Sequence, residues 1–300
     1  MGTGAGKPSG RRNVSSLVLN LVDEAGEYWL FDCGEATQHQ MMRTSVTPHR
    51  IRRIFVTHLH GDHVFGLPGL LTSRSMTVNA PPLDIYGPIG MKELVETVLR
   101  LTQSYVTYDL HVHEIESGVI FEKERFKVLA GELEHRVKCF GFRIEEEDRP
   151  GKLDMEKLGA EGILPGPVLQ QLKNGEVVLL EDGRRVNGAD YVGAPVAGKV
   201  VTILGDTQPC VHARELAFRA DVLVHEATFE AVMTEQARLR GHSTTRQAAQ
   251  IAKDSGVKQL ILTHMSQRYS EVDELFLLQE CWDIFGATKI AHDFDCIEIL

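Results

Sequence analysis

The feature that most constrains this chain is a group of four metal-binding side chains within six residues. The sequence Thr57-His-Leu-His-Gly-Asp-His63 follows directly on an apolar strand predicted at Arg53–Val56. A strand that ends in such a loop can direct all four side chains into one space. Three imidazoles and one carboxylate are ligands that zinc prefers, and a chance grouping of polar loop residues is a much poorer explanation. The motif therefore predicts a metal site at the end of a strand.

The spacing of the motif indicates two ions rather than one. His58 and His60 can serve one ion, while Asp62 and His63 face a second. Two divalent ions about 3.5–4 Å apart polarise a substrate oxygen and bring the pKa of a shared water towards neutrality. A carboxylate beside them can accept the proton of the attacking water. This arrangement is typical of a hydrolase.

The composition is that of an ordinary soluble protein, with 43% hydrophobic and 25% charged residues. No stretch approaches the ~20 apolar residues of a membrane helix, and the start does not have the pattern of a signal peptide. The five cysteines are scattered and never form a CxxC pair. We therefore expect reduced thiols, a cytoplasmic protein and no association with membranes. The cysteines are poor candidates for a metal cage.

The net charge of −10 argues against a general nucleic-acid binder. It does not exclude RNA contacts through small basic patches, because folded RNA can be recognised by its shape and backbone. Binding of this kind is expected to weaken with salt.

Short apolar runs alternate with helical patterns along most of the chain, which favours an α/β or α+β layered sandwich. Predicted strands include Ser16–Val22, Tyr28–Phe31, Ile54–Thr57, Leu83–Tyr86, Phe126–Ala130, Lys199–Leu204, Val222–His225 and Gln259–Thr263. Predicted helices include Met91–Leu101, Ala213–Ala220, Thr244–Ser255 and Val272–Phe285. Ser243 or Thr244 is expected to cap the third helix, and Gly256 lies just past its end.

One region, from about Asp148 to Pro195, is rich in glycine, proline and charge. We predict two short helices there, Asp154–Leu158 and Val168–Leu172, and a hairpin around Asp182-Gly. Its apolar content predicts that it has no core of its own. The segment is either a surface insertion without a particular role or an arm that reaches a partner.

Four ligands do not complete two metal sites, so others must come from later strand ends. Here the chain resembles the metallo-β-lactamase superfamily, whose motif is the same His-x-His-x-Asp-His and whose later ligands are a His, an Asp and a final His. His135, Asp206 and His264 occur after predicted strands in this order. The resemblance implies an αββα sandwich in which Asp206 bridges the two ions. It assigns His58, His60 and His135 to one ion, and Asp62, His63 and His264 to the other.

Further motifs narrow the resemblance to ribonuclease Z, the tRNA 3′-processing endonuclease, over nearly the whole chain. They are Phe31-Asp-Cys-Gly-Glu, Phe65-Gly-Leu-Pro-Gly-Leu-Leu, Arg184–Tyr191, His225-Glu-Ala-Thr228, Gly241-His-Ser-Thr244, Thr263-His-Met-Ser-Gln-Arg-Tyr269 and an arm with Pro165-Gly-Pro. The resemblance implies a zinc-dependent endoribonuclease that removes the 3′ trailer from precursor tRNA. The products would be a 3′-hydroxyl on the tRNA and a 5′-phosphate on the trailer.

The resemblance also implies roles for single residues. Asp62 would be the general base, and His242, backed by Glu226, would donate a proton to the leaving 3′-oxygen. From the residues alone, His242 could equally be a helix-start residue beside a cap. Arg268 resembles a phosphate contact, although an exposed arginine after a strand is usually just solvated.

In ribonuclease Z the corresponding insertion projects from the body as a flexible arm and grips the tRNA elbow. Residues 1–300 would thus form a single domain with an inserted arm at about 148–195. Lys152 and Lys157, with Arg149 and Lys173, could supply phosphate contacts there, although nearby acidic residues dilute the charge. The resemblance further implies a homodimer, and no obligate protein partner.

The chain departs from the family pattern near its start. Where the family has Pro-x-Lys-x-Arg-Asn, this sequence has Pro8-Ser-Gly-Arg-Arg-Asn13, so Gly10 stands in place of a lysine. The resemblance links this loop, with Arg12 and Asn13, to handling of the RNA 3′ end and of a CCA sequence. Discrimination against CCA-bearing tRNA is therefore left open.

Two alternatives compete with this interpretation. One is another metallo-β-lactamase-type phosphodiesterase or esterase that acts on a small substrate. The other is a catalytically dead RNA-binding or scaffold protein, against which the complete ligand set argues. The sequence does not choose between two zinc ions per subunit and manganese, cobalt or iron in the same sites.

Overall fold

The computed structural model describes residues 1–21, 25–123, 125–180 and 182–299. They divide into two compact units. The larger contains Met1–Lys123, Lys127–Ile144 and Val200–Leu300, and the smaller contains Glu124–Phe126 and Glu145–Lys199.

A five-stranded sheet forms one layer of the larger unit. Its strands lie side by side in chain order: β1 (Leu17–Leu21), β2 (Glu27–Phe31), β3 (Ile51–Phe55), β4 (Leu83–Gly87) and β5 (Leu110–Glu114). The β1–β2 pair is antiparallel, and the pairs from β2 to β5 are parallel. Parallel pairing places the ends of β2, β3 and β4 at the same edge of this sheet.

A seven-stranded sheet forms the second layer, and a separate hairpin belongs to the smaller unit. The remaining strands are β6 (Gly118–Lys123), β7 (Phe126–Leu133), β8 (Cys139–Glu146), β9 (Val177–Leu179), β10 (Arg185–Asn187), β11 (Val200–Leu204), β12 (Val222–Glu226), β13 (Gln259–Thr263) and β14 (Thr288–Ile290). Their order in the large sheet is β14-β13-β12-β11-β8-β7-β6, and β11 to β14 pair in parallel. The ends of β11, β12 and β13 therefore also share one edge.

Aromatic side chains join the inner faces of the two sheets. Phe55 of β3 lies 5.4 Å from Phe142 of β8 between ring centroids, and Trp29 of β2 lies 5.6 Å from Phe121 of β6. Such tilted and edge-on pairs are the arrangements that aromatic rings prefer. The two sheets thus pack face to face.

Helices cover the outer faces of both sheets. The smaller unit contains two helices, α5 (Met155–Ala160) and α6 (Val168–Lys173). The helices of the larger unit are α1 (Thr37–Met41), α2 (Gly61–Val64), α3 (Leu67–Arg74), α4 (Met91–Leu101), α7 (Val211–Ala217), α8 (Thr234–Arg240), α9 (Thr245–Ser255) and α10 (Glu271–Trp282). Helices α1 to α4 pack on the five-stranded sheet in one apolar cluster, and α7, α9 and α10 pack on the seven-stranded sheet in another. The predicted αββα sandwich is confirmed.

Of the two residues predicted as possible caps of α9, Ser243 and Thr244, the structure has Thr244 in the capping position. The Thr244 hydroxyl accepts from the backbone N–H of Gln247, and the Gln247 side chain accepts from the N–H of Thr244. This reciprocal pair satisfies two N–H groups that a helix start otherwise leaves free. Gly256 ends the helix at φ 64°, where a side chain would be strained.

The smaller unit has an apolar core, so the prediction that this segment lacks one was wrong. Its β9–β10 hairpin and helices α5 and α6 enclose a cluster in which Leu158 and Leu172 are fully buried. The other buried members are Ile163, Val186 and Tyr191. These apolar residues are sparse along the chain, but the hairpin and helices bring them together, which composition alone does not reveal.

Several elements were not among the predicted examples, notably β5, β6, β8 and α3. Val22, the predicted end of the first strand, lies outside the described residues. Across the part of the chain that the structure describes, no helix combines the length and the apolar character needed to cross a membrane.

Candidate metal centre

The seven predicted ligands all follow strand ends of the larger unit. The motif residues His58, His60, Asp62 and His63 come after β3, His135 after β7, Asp206 after β11 and His264 after β13. Both sheets therefore contribute residues to one site. This convergence explains why ligands 206 residues apart in the sequence, from His58 to His264, can meet.

Three histidines and Asp206 form the first group of close ligand atoms. Nδ1 of His60 lies 3.0 Å from Nε2 of His58 and 3.3 Å from Nε2 of His135. Oδ2 of Asp206 lies 3.7 and 4.0 Å from the same two Nε2 atoms. Ligands of a tetrahedral ion with bonds of about 2.1 Å are about 3.4 Å apart. The four atoms therefore have the spacing of one metal site.

Asp62, His63 and His264 form the second group. Oδ2 of Asp62 lies 3.6 Å from Nε2 of His63 and 3.4 Å from Nε2 of His264. Oδ2 of Asp206 is also 3.6 Å from Nε2 of His63, so this one oxygen borders both groups. Within the described ranges, Nε2 of His63 is buried without a hydrogen-bond partner. A buried polar atom of this kind normally has a bonding partner. A metal ion bound between the Asp62 and Asp206 carboxylates would supply one.

Asp32 fixes the orientation of His63. Its Oδ2 accepts from Nδ1 of His63 at 2.7 Å, and its Oδ1 accepts from the backbone N–H of Thr57 at 2.8 Å. The Thr57 hydroxyl in turn lies 3.0 Å from Nδ1 of His58. Such contacts leave Nε2 as the free nitrogen of each ring, which is how carboxylates and hydroxyls commonly orient metal-bound histidines.

Two other histidines are held in the same way. Nδ1 of His135 lies 2.7 Å from the carbonyl oxygen of Gly241, and Nδ1 of His264 lies 2.8 Å from the hydroxyl of Thr228. His264 itself has φ 56° and Asp32 has φ 55°, a left-handed conformation that costs free energy in residues with a side chain. Both strained residues stand immediately after a strand, at the site.

Charge and burial set the protonation of the cluster. Burial and the neighbouring His63 ring lower the pKa of His58 well below its usual value, and burial lowers the pKa of His60 and His135. Burial alone would raise the pKa of Asp206, but His264 and His63 bring it well below the usual range. Neutral His58, His60 and His135 rings and an ionised carboxylate are forms that bind a metal. Burial lowers the pKa of His63, but the Asp32 and Asp206 carboxylates outweigh it and raise that pKa well above its usual value.

His242 lies beside the ligand groups with a carboxylate behind it. Oε1 of Glu226 accepts from Nδ1 of His242 at 2.9 Å and from the backbone N–H of Ser243 at 2.9 Å. Burial lowers the pKa of His242, but the Glu226 carboxylate outweighs it and raises that pKa to about 9. The raised pKa favours the protonated ring, which is the form that a proton donor needs.

A cleft of about 250 Å³ opens over the centre. Its lining includes Asp62, His242 and two arginines, Arg240 and Arg268. The guanidinium of Arg268 stacks over the Phe229 ring at 5.0 Å, and its Nε donates to the Ser266 hydroxyl at 3.1 Å. Two cationic side chains in the lining of a cleft suit an anionic substrate.

The structure does not bring Arg12 and Asn13 into this cleft. The Arg12 guanidinium donates to the Thr3 hydroxyl and to Glu274, and only 11% of the side chain is exposed. The Asn13 amide donates to the carbonyl oxygen of Glu35 at 2.8 Å. The Arg12 guanidinium and the Asn13 amide N–H group are thus already engaged within the protein and help to hold the N-terminal loop in place.

Lys152 and Lys157 belong to the smaller unit, where both are exposed. Nζ of Lys157 donates to the carbonyl oxygen of Asp190 at 3.0 Å and lies 4.8 Å from the centre of the Tyr191 ring.

The sequence prediction of the site omitted Asp32, Thr57, Thr228 and Arg240. A signal existed for Asp32 and Thr228, because both lie in motifs quoted for the family resemblance, Phe31-Asp-Cys-Gly-Glu and His225-Glu-Ala-Thr228. Arg240 lies in no such motif, and only the fold reveals that it lines the cleft.

The sandwich and its strand-end ligands define a metal-dependent hydrolase of the metallo-β-lactamase fold. The metallo-β-lactamase-fold protein YhfI of Bacillus subtilis has this fold, with a TM-score of 0.68 at 19% identity over 97% of this chain and 94% of its own. The chain belongs to the ribonuclease BN family. It is 54% identical to ribonuclease BN of Cronobacter sakazakii (strain ATCC BAA-894) over 299 residues, which are 100% of this chain and 98% of the relative.

A solved structure agrees with this assignment. Human tRNase Z, short form, superposes with a TM-score of 0.73 at 32% identity, covering 100% of this chain and 97% of its own. A family model described as anti-Pycsar protein Apyc1 matches residues 1–147, just under half of the chain. The resemblance to ribonuclease Z that the motifs indicate is therefore confirmed.

Proposed function

We propose that this chain is a zinc-dependent endoribonuclease that cuts the 3′ trailer from precursor tRNA. The tRNA 3′-hydroxyl and the trailer 5′-phosphate would be the products. The observation that carries the proposal is the position of the His242–Glu226 pair beside two ligand groups that share Asp206. The 54% identity with a ribonuclease BN and the likeness to human tRNase Z support RNA, and tRNA in particular, as the substrate.

The two ligand groups would hold two zinc ions per subunit, one on His58, His60 and His135 and one on Asp62, His63 and His264, with Asp206 shared. Bound ions would polarise the scissile phosphate and lower the pKa of the attacking water. Imidazole and carboxylate ligands suit zinc, and manganese, cobalt and iron are the alternatives that metal analysis separates.

Asp62 would accept the proton of the attacking water. Burial raises the pKa of Asp62, but contact with His264 and His63 outweighs burial and lowers it well below the usual range. The carboxylate is therefore ionised at neutral pH. The backbone N–H of Gly6 donates to its Oδ2 at 2.8 Å and fixes its direction. An ionised, oriented carboxylate in the lining of the cleft is in the form that can accept a proton.

His242 would donate a proton to the leaving 3′-oxygen. With Nδ1 held by Glu226, the opposite ring nitrogen is the one left to carry that proton. A ribose oxygen is a poor leaving group without protonation, because its pKa is high. Arg240 and Arg268, which line the same cleft, would contact RNA phosphates.

The smaller unit would be the tRNA-binding arm, with Lys152, Lys157 and Lys173 as phosphate contacts. It is compact and has a core, so it can present these side chains on a defined surface. The enzyme would work in the cytoplasm as a homodimer. Large apolar side chains are exposed just before α3 and at the end of α4, such as Phe65 and Leu101, and their exposure supports an interface there.

The test is cleavage of a precursor tRNA with a 3′ trailer, with and without a chelator. We expect a single cut at the acceptor-stem end, loss of cleavage with chelator and recovery on addition of Zn²⁺. A small phosphodiester, bis-nitrophenyl phosphate, serves as the second substrate. Turnover of this ester without any cut in the precursor would refute the RNA-processing role and favour a small-molecule phosphodiesterase.

A further inference from the structure

Two histidines and an aspartate lie close together on strands β4 and β5 of the five-stranded sheet. The catalytic proposal gives these three residues no role. Asp84 lies in β4, and His111 and His113 lie in β5. β5 is the last strand in the order of that sheet. The side chains are partly open to solvent, at 29% exposure for Asp84, 55% for His111 and 45% for His113.

The strand register places all three side chains on one face. Asp84 is paired with His111, and Tyr86 with His113. Residues two apart on a strand point to the same side, so both imidazoles stand over the same face as Asp84. The next strand residue, Glu114, accepts from the backbone N–H of Gly90 at 2.8 Å and fixes the end of β5. The three positions are therefore set by the sheet and do not depend on a loop.

The distances converge on one atom. Oδ1 of Asp84 lies 3.2 Å from Nδ1 of His111 and 3.1 Å from Nε2 of His113. Both separations are ordinary hydrogen-bond distances, and they place the two imidazoles within reach of one carboxylate oxygen. The His113 ring also stacks on Tyr86, with centroids 4.7 Å apart and an angle of 16° between the planes. One imidazole is thus held in place beside the carboxylate.

We propose that Asp84, His111 and His113 form a peripheral site for a divalent transition-metal ion, separate from the catalytic centre. The two ring centroids are 6.3 Å apart, so one ion requires the His111 ring to turn towards His113, which stacks on Tyr86. His111 is the more exposed ring, and it can change rotamer at little cost. Water completes the coordination.

Two imidazoles and one carboxylate favour Zn²⁺, Cu²⁺ and Ni²⁺ over Mg²⁺ and Ca²⁺, which prefer oxygen ligands. An ion that joins β4 to β5 would also stabilise the folded chain, because it binds the native pairing of the strands and not the unfolded chain.

The experiment is equilibrium dialysis of the metal-loaded protein against buffered Zn²⁺. We expect one Zn²⁺ per chain beyond the content of the catalytic centre. The variant His111→Ala/His113→Ala should lose that ion, while Asp84→Asn should weaken its binding at least tenfold. His39→Ala/His49→Ala, which removes two exposed histidines elsewhere, is the matched control and should keep it.

Thermal unfolding and cleavage activity complete the test. All variants should cut precursor tRNA at the wild-type rate, since the three residues lie outside the proposed catalytic machinery. Added Zn²⁺ should raise the Tm of the wild type and the control more than that of the double-histidine variant. Equal Zn²⁺ content in wild type and double variant, or no additional ion in the wild type, would overturn the proposal.

Discussion

Oδ2 of Asp32 lies 2.7 Å from Nδ1 of His63, and both side chains are buried. The contact joins the end of β2 to the motif that follows β3. Because Asp32 also accepts from the backbone N–H of Thr57, one carboxylate fixes both the start and the end of the metal-binding loop. The geometry of the centre thus depends on a residue that lies outside both ligand groups.

Asp32→Asn should weaken metal binding by about 10- to 100-fold, the usual effect of losing such an orienting group. The amide of the new residue would donate towards Nδ1 of His63, which would shift the ring proton to Nε2, the nitrogen needed as ligand. Metal content after dialysis against zinc buffers measures the loss. Glu35→Gln, at an exposed carboxylate nearby, should retain wild-type affinity, and equal affinity in Asp32→Asn would contradict this role.

Asp206→Ala should lose cleavage and at least one of two ions, because its Oδ2 lies within 4.0 Å of ligand nitrogens in both groups. Elemental analysis of protein purified with excess zinc gives the count. Asp254→Asn, an exposed carboxylate on α9, is the control. Two ions per chain in Asp206→Ala would show that the carboxylate is not shared.

The sequence predicted the ligands and the sandwich because both depend on local patterns. Apolar strands that each end in a His or Asp are visible residue by residue, and so is the Thr244 cap of α9. The contacts that orient the ligands join distant residues, such as His135 to the carbonyl oxygen of Gly241, 106 positions away. The local spacing of residues does not predict a contact between positions so far apart in the sequence. The core of the smaller unit could not be predicted for a similar reason, since Leu158 and Val186 are 28 positions apart in the sequence and belong to one cluster only in the folded unit.

Excision of residues 152–193 should weaken precursor-tRNA binding and leave metal content and nitrophenyl ester turnover unchanged. The cut ends are neighbours in the fold, because Gly193 donates to the carbonyl oxygen of Lys152 and Arg149 exchanges two backbone hydrogen bonds with Val196. A short glycine linker can therefore rejoin them. Leu172→Ala, which removes a fully buried side chain from the small core at a cost of about 2–5 kcal/mol, should reproduce the binding defect in milder form. Equal loss on both substrates would show that the segment supports the hydrolase fold.

Arg240→Ala should lower RNA affinity and reduce the slope of log affinity against log salt by about one, as expected for a single phosphate contact. Single-turnover cleavage at saturating RNA should stay close to the wild-type rate. The matched control is Arg238→Ala, since Arg238 is also exposed on α8 but is paired with Glu235 and is not part of the cleft lining. An unchanged salt slope in Arg240→Ala would remove this residue from the RNA-binding surface.

His242→Ala should slow precursor-tRNA cleavage by about 10²–10⁴-fold, the range typical of losing a general acid. It should slow hydrolysis of bis-nitrophenyl phosphate far less, because nitrophenolate leaves without a proton. Glu226→Gln should show the same selectivity more weakly, since the neutral amide can still accept at Oε1 but no longer favours the protonated ring. Glu226 also accepts from the backbone N–H of Thr228 and Ser243, so both rates are measured on protein whose metal content and Tm match the wild type. If His242 were instead a phosphate ligand, both substrates would slow by the same factor, and if it only supported the start of α9, Tm would fall while both rates survived.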